Sequence, residues 1–387
     1  MTVITNINDL RQLCQRRIPR MFYDYLETGS WTEQTFRENS SDFAEIRLRQ
    51  KVAVDLSDRQ VAGRMIGQDV TIPAALSPVG MLGMMWADGE IKAARAARDF
   101  GIPFTLSTMS ISSIEDVATH AGPGFWFQLY VMRDRTFVDN IIGRARDAGC
   151  SALVLTLDLQ LLGQRHKDLK NGLTAPPRPT IANLVNLSTR IRWSLDMLQT
   201  KRRQFGNIVG HVDGVTDVTS LMNWTNDQFD LTLDWSRIEE IRKIWDRKLI
   251  LKGILDPDDA RRAADTGADA IVVSNHGGRQ LDGALSSIRM LPRIVEAVGD
   301  RVEIHLDSGI RSGQDMLKAL ALGATGAHIG RAFVYGLGAR GEAGVTTALE
   351  VIRKELDTTM ALCGERDIAK LGRGNLMLPH DFETRWN

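Results

Sequence analysis

The chain has 387 residues, 43% hydrophobic and 25% charged, a composition that supports a sizeable packed core and excludes a disordered polymer. Its 48 basic and 48 acidic residues cancel, so no global field gathers nucleic acid and any charged ligand must be met locally. Cys14, Cys150 and Cys363 form neither a CxxC pair nor a secreted disulfide framework, which reads as a reducing cytoplasm, and no stretch approaches the roughly 18 apolar residues of a membrane span.

Taken in chain order, the N-terminal MTVITNINDLRQLCQRRIPR lacks the apolar centre of a secretory signal. Residues 1–50 are predicted to form short helices with YDYLETGS between them, and residues 1–72 an N-terminal cap across the barrel. From residue 73 a unit recurs: a short apolar or β-branched run, a polar or small residue where it ends, then a segment of helical period. The candidate strands are PAALSPV (73–79), PFTLS (103–107), FWFQLYV (125–131), ALVLTLD (152–158), LILKG (249–253), AIVVSN (270–275), VEIHLDSG (302–309) and AHIGR (327–331). Intervening helical patterns such as DGEIKAARAARDFG and DPDDARRAADTGAD end at or near glycines, as helix C-termini often do. Eight βα units in one chain predict a TIM (β/α)8 barrel in a single domain over 1–387, with the barrel at 73–363 and a tail at 364–387.

Residues 159–235, between the fourth and fifth strands, far exceed the typical βα connection of about 2–6 residues. Within them RPTIANLVNLSTRIRWSLDMLQTKRR places Leu184, Leu187, Ile191, Leu195 and Leu198 on one helical stripe, with six basic residues against the single acid Asp196. The pattern predicts a basic amphipathic helix that lies on an anionic membrane surface or packs on the barrel or a partner subunit. Residues 176–230 are expected to be the most mobile part of the chain.

Barrel chemistry sits at the C-terminal ends of the strands. There the sequence places Pro78-Val79-Gly80, Ser107, Gln128 with Tyr130, and Thr156 with Asp158. The later strands add Lys252, Ser274 followed by His276 and Arg279, Asp307-Ser308-Gly309 with Arg311, and Gly330-Arg331. Loops after strands 7 and 8 often bind phosphate; DSGIRSG and IGR supply open backbone N–H groups, two arginines and a helix start. In SNHGGRQLD (274–282), His276 is a proton acceptor suited to neutral pH, and Arg279 can clamp a carboxylate. Asp158 is placed to orient the imidazole. A lysine ending an apolar strand is costly unless it faces an anion or an electron-rich group, so Lys252 reads either as a Schiff-base amine or as a cation beside an electron sink.

YDYLETGS, SPVGMLGM, TLSTMS, WFQLYV, LTLD, ILKGILDPDDA, VSNHGGRQLDG and DSGIRSG together resemble the FMN-dependent α-hydroxy acid dehydrogenases and oxidases over nearly the whole chain. SPVGMLGM and VSNHGGRQLDGALSS look most like the bacterial quinone- or cytochrome-linked L-lactate dehydrogenases. The resemblance implies oxidation of an L-2-hydroxy acid, lactate to pyruvate foremost, with His276 as base and Asp158 as its partner. It places Arg165 and Arg279 on the substrate carboxylate, aided by Tyr25 and Tyr130, and Lys252 at the flavin edge. FMN contacts would come from Pro78, Val79, Gly80, Ser107, Gln128, Thr156, Lys252, Ser274, Asp307, Ser308, Gly309, Arg311, Gly330 and Arg331. It further implies a homotetramer that passes electrons to a quinone or cytochrome, or to O2, with peripheral contact to the cytoplasmic face of a membrane.

The sequence departs from the family in three places. Asp158 is followed by LQLLGQR without the proline many members carry two residues on. Met109 stands where glycolate oxidase has an aromatic, and Gly80 stands where several oxidases carry alanine, which favours a dehydrogenase. An O2-using oxidase and a mandelate-type dehydrogenase remain alternatives within the family. A lyase or aldolase using Lys252 as a Schiff base is the alternative outside it.

Overall fold

A computed structural model describes residues 3–173, 180–212 and 228–385. Eight parallel strands run in chain order: β1 (Ala74–Leu76), β2 (Thr105–Ser107), β3 (Trp126–Leu129), β4 (Ala152–Thr156), β5 (Lys248–Ile254), β6 (Ala270–Val273), β7 (Glu303–Leu306) and β8 (Gly326–Ile329). They are hydrogen-bonded in the order β1-β8-β7-β6-β5-β4-β3-β2, and a parallel bridge between Leu76 and Phe104 closes the ring. Each strand falls within or across its expected sequence run, and the architecture is a TIM barrel. The strands form because they are buried on both faces: every residue of β4 (ALVLT) and β6 (AIVV) is inaccessible, the continuous apolar pattern of parallel sheets. Helix boundaries are equally local in origin. Asp256 caps helix Pro257–Asp265 by accepting from the N–H groups of Asp258 and Asp259, and Gly101, at φ +85°, ends helix Gly89–Phe100.

Helices Ile7–Arg17, Arg20–Leu26 and Gln34–Glu45 form the N-terminal cap. Beyond the helices, the 1–72 segment also contains a hairpin, Gly63–Met65 with Gln68–Val70, which covers the opposite end of the barrel. Its turn residues Ile66 and Gly67 both have positive φ, +44° and +84°, as the primed hairpin turns require. Met65 is fully buried, and a Cβ on Gly326 at the start of β8 would approach its Cε to 2.5 Å. The tail is tied back by an antiparallel pair, Arg47–Leu48 with Leu376–Met377.

The expected single amphipathic helix in the insertion is two helices, Ile181–Ser188 and Ile191–Gln199. The break has a side-chain cause: Ser188 Oγ and Thr189 Oγ1 donate to the carbonyls of Val185 and Asn186, competing with the helical ladder at its end. Of the stretch expected to be mobile, residues 176–179 and 213–227 lie outside the described residues. The part around Asn207 is docked, since this buried amide accepts from the Ile114 N–H at 2.9 Å and donates to Ser110 Oγ at 2.9 Å. No helix among the described residues is long and apolar enough to cross a membrane.

Alternate strand residues point into the barrel. Below the rim this places Trp126, His305 and His328 together, with the His305 and His328 rings 5.3 Å apart. Burial, with help from neighbouring His305, depresses the His328 pKa from 6.5 to about 3. The unfolded chain therefore takes up a proton near pH 6.5 that the folded chain refuses. This contribution to stability is complete above that pH and falls by about 1.4 kcal/mol per pH unit as pH drops toward 3. His328→Leu should flatten the acid limb of a urea-denaturation pH series by that slope; a limb parallel to the parent would show that His328 titrates normally in the folded chain.

Candidate active site

The C-terminal rim opens into a cavity whose wall includes Tyr25, Tyr130, Lys252, His276, Arg279 and Arg165. Pro78, Val79, Gly80, Ser107, Thr156, Asp307, Ser308, Gly309, Arg311, Gly330 and Arg331 line it too. Of the sequence candidates, Asp158, Gln128 and Ser274 stand one row behind this wall.

The loop after β6 sets the geometry. His276, Gly277 and Gly278 follow one another with φ of +58°, +70° and +73°, a left-handed run that costs the non-glycine residue about 1–2 kcal/mol. The conformation is held by bonds to backbone N–H groups: His276 to Ser274 Oγ at 3.1 Å, Gly277 to Ser308 Oγ at 3.0 Å, and Gly278 to Asn275 Oδ1 at 3.0 Å. Asn275 in turn forms a reciprocal amide pair with Asn39 of the cap, at 2.8 and 2.7 Å. Gly278 is obligatory, because a Cβ there would lie 2.5 Å from the Phe36 backbone.

His276 Nδ1 lies 2.8 Å from Asp158 Oδ1. A carboxylate can only accept, so Nδ1 carries the proton and Nε2 is left bare. Burial lowers the imidazole pKa against the opposing pull of Asp158, with Lys252 and Arg279 adding to the depression. The ring is neutral and able to take a proton. Asp158 resists its own burial because His276 and Lys252 hold it ionised. Asp158 packs against Gly253, at φ +102°, where a Cβ would come within 2.7 Å of the aspartate Cβ.

Lys252 Nζ donates to Ser274 Oγ at 2.9 Å and pairs with Asp307 Oδ2 at 3.1 Å. Burial works against its charge, but Asp307 and Asp158 raise its pKa overall. Asp307 also accepts from Ser77 and Ser274 hydroxyls at 2.8 and 2.7 Å and is held far below the usual carboxylate range despite burial. This lysine is a locked ammonium, which disfavours the Schiff-base alternative, since an imine requires the neutral amine.

Arg279 stacks on the Tyr25 ring at 4.4 Å and donates to the Tyr25 carbonyl, while its Nη2 has no hydrogen-bond partner among the described residues. Burial and repulsion from Arg165 lower its pKa. Arg165 is paired only loosely, with Asp168 at 3.5 Å. Two guanidinium groups facing one cavity form a receptor for an anion. Burial raises the Tyr130 hydroxyl pKa, with Tyr25 and Asp158 reinforcing the shift, so the phenol stays a donor.

The strand-end residues fit FMN on two observations. Thr156 Oγ1 in the cavity wall and Gln128 Nε2 behind it are buried without hydrogen-bond partners among the described residues, polar groups that a flavin ring edge can use. Near β7 and β8, burial and the neighbouring Arg311 and Arg279 depress Arg331 to about 9, a cation cluster that a phosphate relieves. Arg331 is also a tie to the cap: Nε donates to the Leu26 carbonyl at 2.7 Å, Nη1 to Gly277 at 3.0 Å and Nη2 to Thr28 at 3.0 Å. The segment Ser308-Gly309 is left-handed at φ +83° and +95°, and helix Gly313–Ala321 begins just beyond, capped by Ser312.

Sequence reasoning missed Gln280 and the apolar wall. Gln280 Nε2 donates to the carbonyls of Asp158 and Leu161 at 2.7 Å each, and its Oε1 accepts from Gly163 N–H at 3.1 Å. It thus fixes the loop after β4 that lacks the family proline. Its place in SNHGGRQLD was the available signal. Met109, already noted as a departure from the family, lines the same cavity with Leu159, Leu162, Phe205 and Phe229; Phe205 and Phe229 come from deep within the insertion, whose path no local pattern reveals.

The chain is similar to known proteins over nearly its whole length. The chain is 44% identical over 375 residues to an L-lactate dehydrogenase of Caulobacter sp. strain K31, covering 97% of this chain and 98% of the relative. Its fold superposes on crystalline (S)-mandelate dehydrogenase, described as a monotopic membrane protein, with a TM-score of 0.93 and 36% identity over 98% of this chain and 100% of the other. A mandelate oxidase superposes at 0.83 with 34% identity, covering 97% and 99% of the two chains. The model of the FMN-dependent dehydrogenases matches residues 14–378, and the chain belongs to that family.

Proposed function

We propose that this chain oxidises an L-2-hydroxy acid, L-lactate foremost, to the corresponding 2-oxo acid and delivers the electrons to a membrane quinone. The observation that carries the reading is one cavity in which a neutral, carboxylate-held His276 stands with the paired guanidinium groups of Arg165 and Arg279. Bound FMN supplies the acceptor for the two electrons leaving the carbinol carbon. Arg165 and Arg279 bind and orient the substrate carboxylate. His276 Nε2 takes the hydroxyl proton, and Asp158 stabilises the imidazolium that results. Lys252, kept charged by Asp307, presents a fixed positive charge to the cofactor edge, and Tyr130 donates from the substrate side. The test is direct: purified protein should be yellow with FMN and bleach anaerobically on addition of L-lactate. Colourless protein that borohydride traps with a ketone would replace this reading with the Lys252 lyase.

A second reading, oxidation of an aryl hydroxy acid such as (S)-mandelate, is favoured by the apolar wall of Met109, Phe205 and Phe229. Specificity constants decide between them. Lactate is expected to lead by tenfold or more, and the reverse order would assign the wall to an aromatic substrate.

The quinone and a contact with the cytoplasmic membrane face are supported by the two insertion helices. They pack on the cap, with Asn186 Oδ1 accepting from the Arg20 N–H at 2.7 Å and Trp193 against Phe22 at 5.6 Å. Ile181, Leu184, Val185, Leu195 and Leu198 are left exposed, with Arg20 and Arg192 exposed beside them, the composition of an interfacial surface. Arg202, expected to join this basic face, is instead paired with Asp88 and Asp116. Replacing Leu184, Leu195 and Leu198 by Asp should weaken binding to anionic vesicles at least tenfold and slow quinone reduction, while lactate bleaches the flavin at the parental rate. Undiminished vesicle binding would move the contact elsewhere, and rapid reoxidation by O2 would favour an oxidase.

A further inference from the structure

The barrel interior holds two histidines that the chemistry at the rim does not use. His305 on β7 and His328 on β8 are 0% and 1% exposed. His305 Nδ1 lies 3.2 Å from His328 Nε2, and His305 Nε2 lies 3.4 Å from Glu303 Oε2. Glu303 begins β7 at the N-terminal end of the barrel, its side chain one-third exposed, and the same Oε2 accepts from the Ile66 N–H of the hairpin at 2.8 Å. At the other end, His328 lines the active-site cavity, and its Nδ1 has no hydrogen-bond partner among the described residues. A chain of titratable side chains therefore runs from the cavity to the opposite face.

The donor inventory gives the chain a direction. Partial burial works against the Glu303 carboxylate, but His305, the Ile66 N–H and Lys248 outweigh it and hold the group ionised. A carboxylate can only accept, so His305 Nε2 carries hydrogen. A neutral His305 then has a bare Nδ1, which accepts from His328 Nε2. His328 is kept neutral by burial and by His305 and Lys252 against the pull of Asp307. Its Nδ1 is consequently an open lone pair, and every N–H in the chain points away from the active site.

We propose that His328, His305 and Glu303 form a proton exit from the active-site cavity to solvent at the far end of the barrel. The proposal rests on the 2-hydroxy acid oxidation above, because taking two electrons from a carbinol also releases two protons that must leave the cavity. A proton arriving at His328 Nδ1 moves the Nε2 proton to His305 Nδ1. His305 passes its own Nε2 proton to Glu303, which releases it to water. Each imidazole gains one proton and loses one, no electron moves, and a flip of each ring restores the starting tautomers. The depressed basicity of His328 suits a relay, because the proton is not retained there.

The test uses the full chain loaded with FMN and reduced with one equivalent of L-lactate. Ferricyanide, an acceptor of electrons alone, is mixed in under weak buffering with a pH indicator. In the parent, protons should appear in solution in step with the return of flavin colour. In His305→Leu and in Glu303→Gln they should trail it by tenfold or more. Glu303→Gln, at a partly exposed site, serves if the buried substitution does not fold. Release in step with reoxidation in the variants would overturn the path. Long-range 1H–15N spectra of the FMN-free chain give an independent readout: both rings should carry hydrogen on Nε2, and hydrogen on His328 Nδ1 would overturn the assigned direction. Failure to bind FMN or to bleach with lactate would instead overturn the underlying reading of function.

Discussion

Replacing His276 by glutamine is expected to leave FMN bound and to slow lactate-driven bleaching of the flavin by at least about 10²–10⁴-fold, the range for general-base catalysis. The expectation follows from what the side chain does locally. Asp158 fixes the Nδ1 tautomer at 2.8 Å and so delivers a bare Nε2 to the cavity. Glutamine can fill the space and even accept from solvent, but its amide is too weak a base to take a hydroxyl proton. Because burial lowers the His276 pKa, the parental rate should hold through neutral pH and fall only on the acid side of about 6.5, the ordinary histidine value. Anaerobic stopped-flow absorbance measures both effects. A variant that reduced its flavin at near-parental speed would remove His276 from the role of base.

The second large effect is expected at Arg279, where lysine should raise the Michaelis constant for lactate and lower the rate of flavin reduction, together by roughly 10–100-fold in specificity. A charge-assisted hydrogen bond is worth about 1.5–3 kcal/mol, and each 1.4 kcal/mol is a factor of ten. Lysine keeps the charge but loses the planar fork and the stacking on Tyr25 at 4.4 Å. An unchanged Michaelis constant would assign carboxylate binding to Arg165 alone.

The barrel was legible because its strands are buried on both faces and its helices end at glycines, both local signals. The 63–70 hairpin was not, since each of its strands has three residues, too few for a period to register. The site was legible at strand ends, where barrel geometry tells which residues meet. It was less so one row down. Asp158 could be anticipated, whereas His305 and His328 lie within the runs VEIHLDSG and AHIGR and were passed over because attention to rim residues ignores the inward positions beneath them. Residues brought in by the insertion, Phe205 and Phe229, were not legible at all, because nothing near them in sequence states where a 77-residue excursion returns. The continuous amphipathic stripe was read correctly as a pattern and wrongly as one helix, since Ser188 and Thr189 act on the backbone rather than on the apolar period.

The bonds between cap and site loop bear on the order in which the molecule is assembled. Asn39 meets Asn275, the Ser30 N–H reaches the Gly278 carbonyl at 2.9 Å, and the carbonyls of Leu26 and Thr28 receive the Arg331 guanidinium. The cap is thus synthesised before partners that lie more than 200 residues downstream, and contacts of such separation form late and slowly. Until β8 has been made, the cap helices wait with unmatched surfaces, and the catalytic loop lacks the scaffold that holds it left-handed. Nascent or C-terminally truncated chains should therefore be both inactive and prone to capture by chaperones, whatever the state of their first six strands.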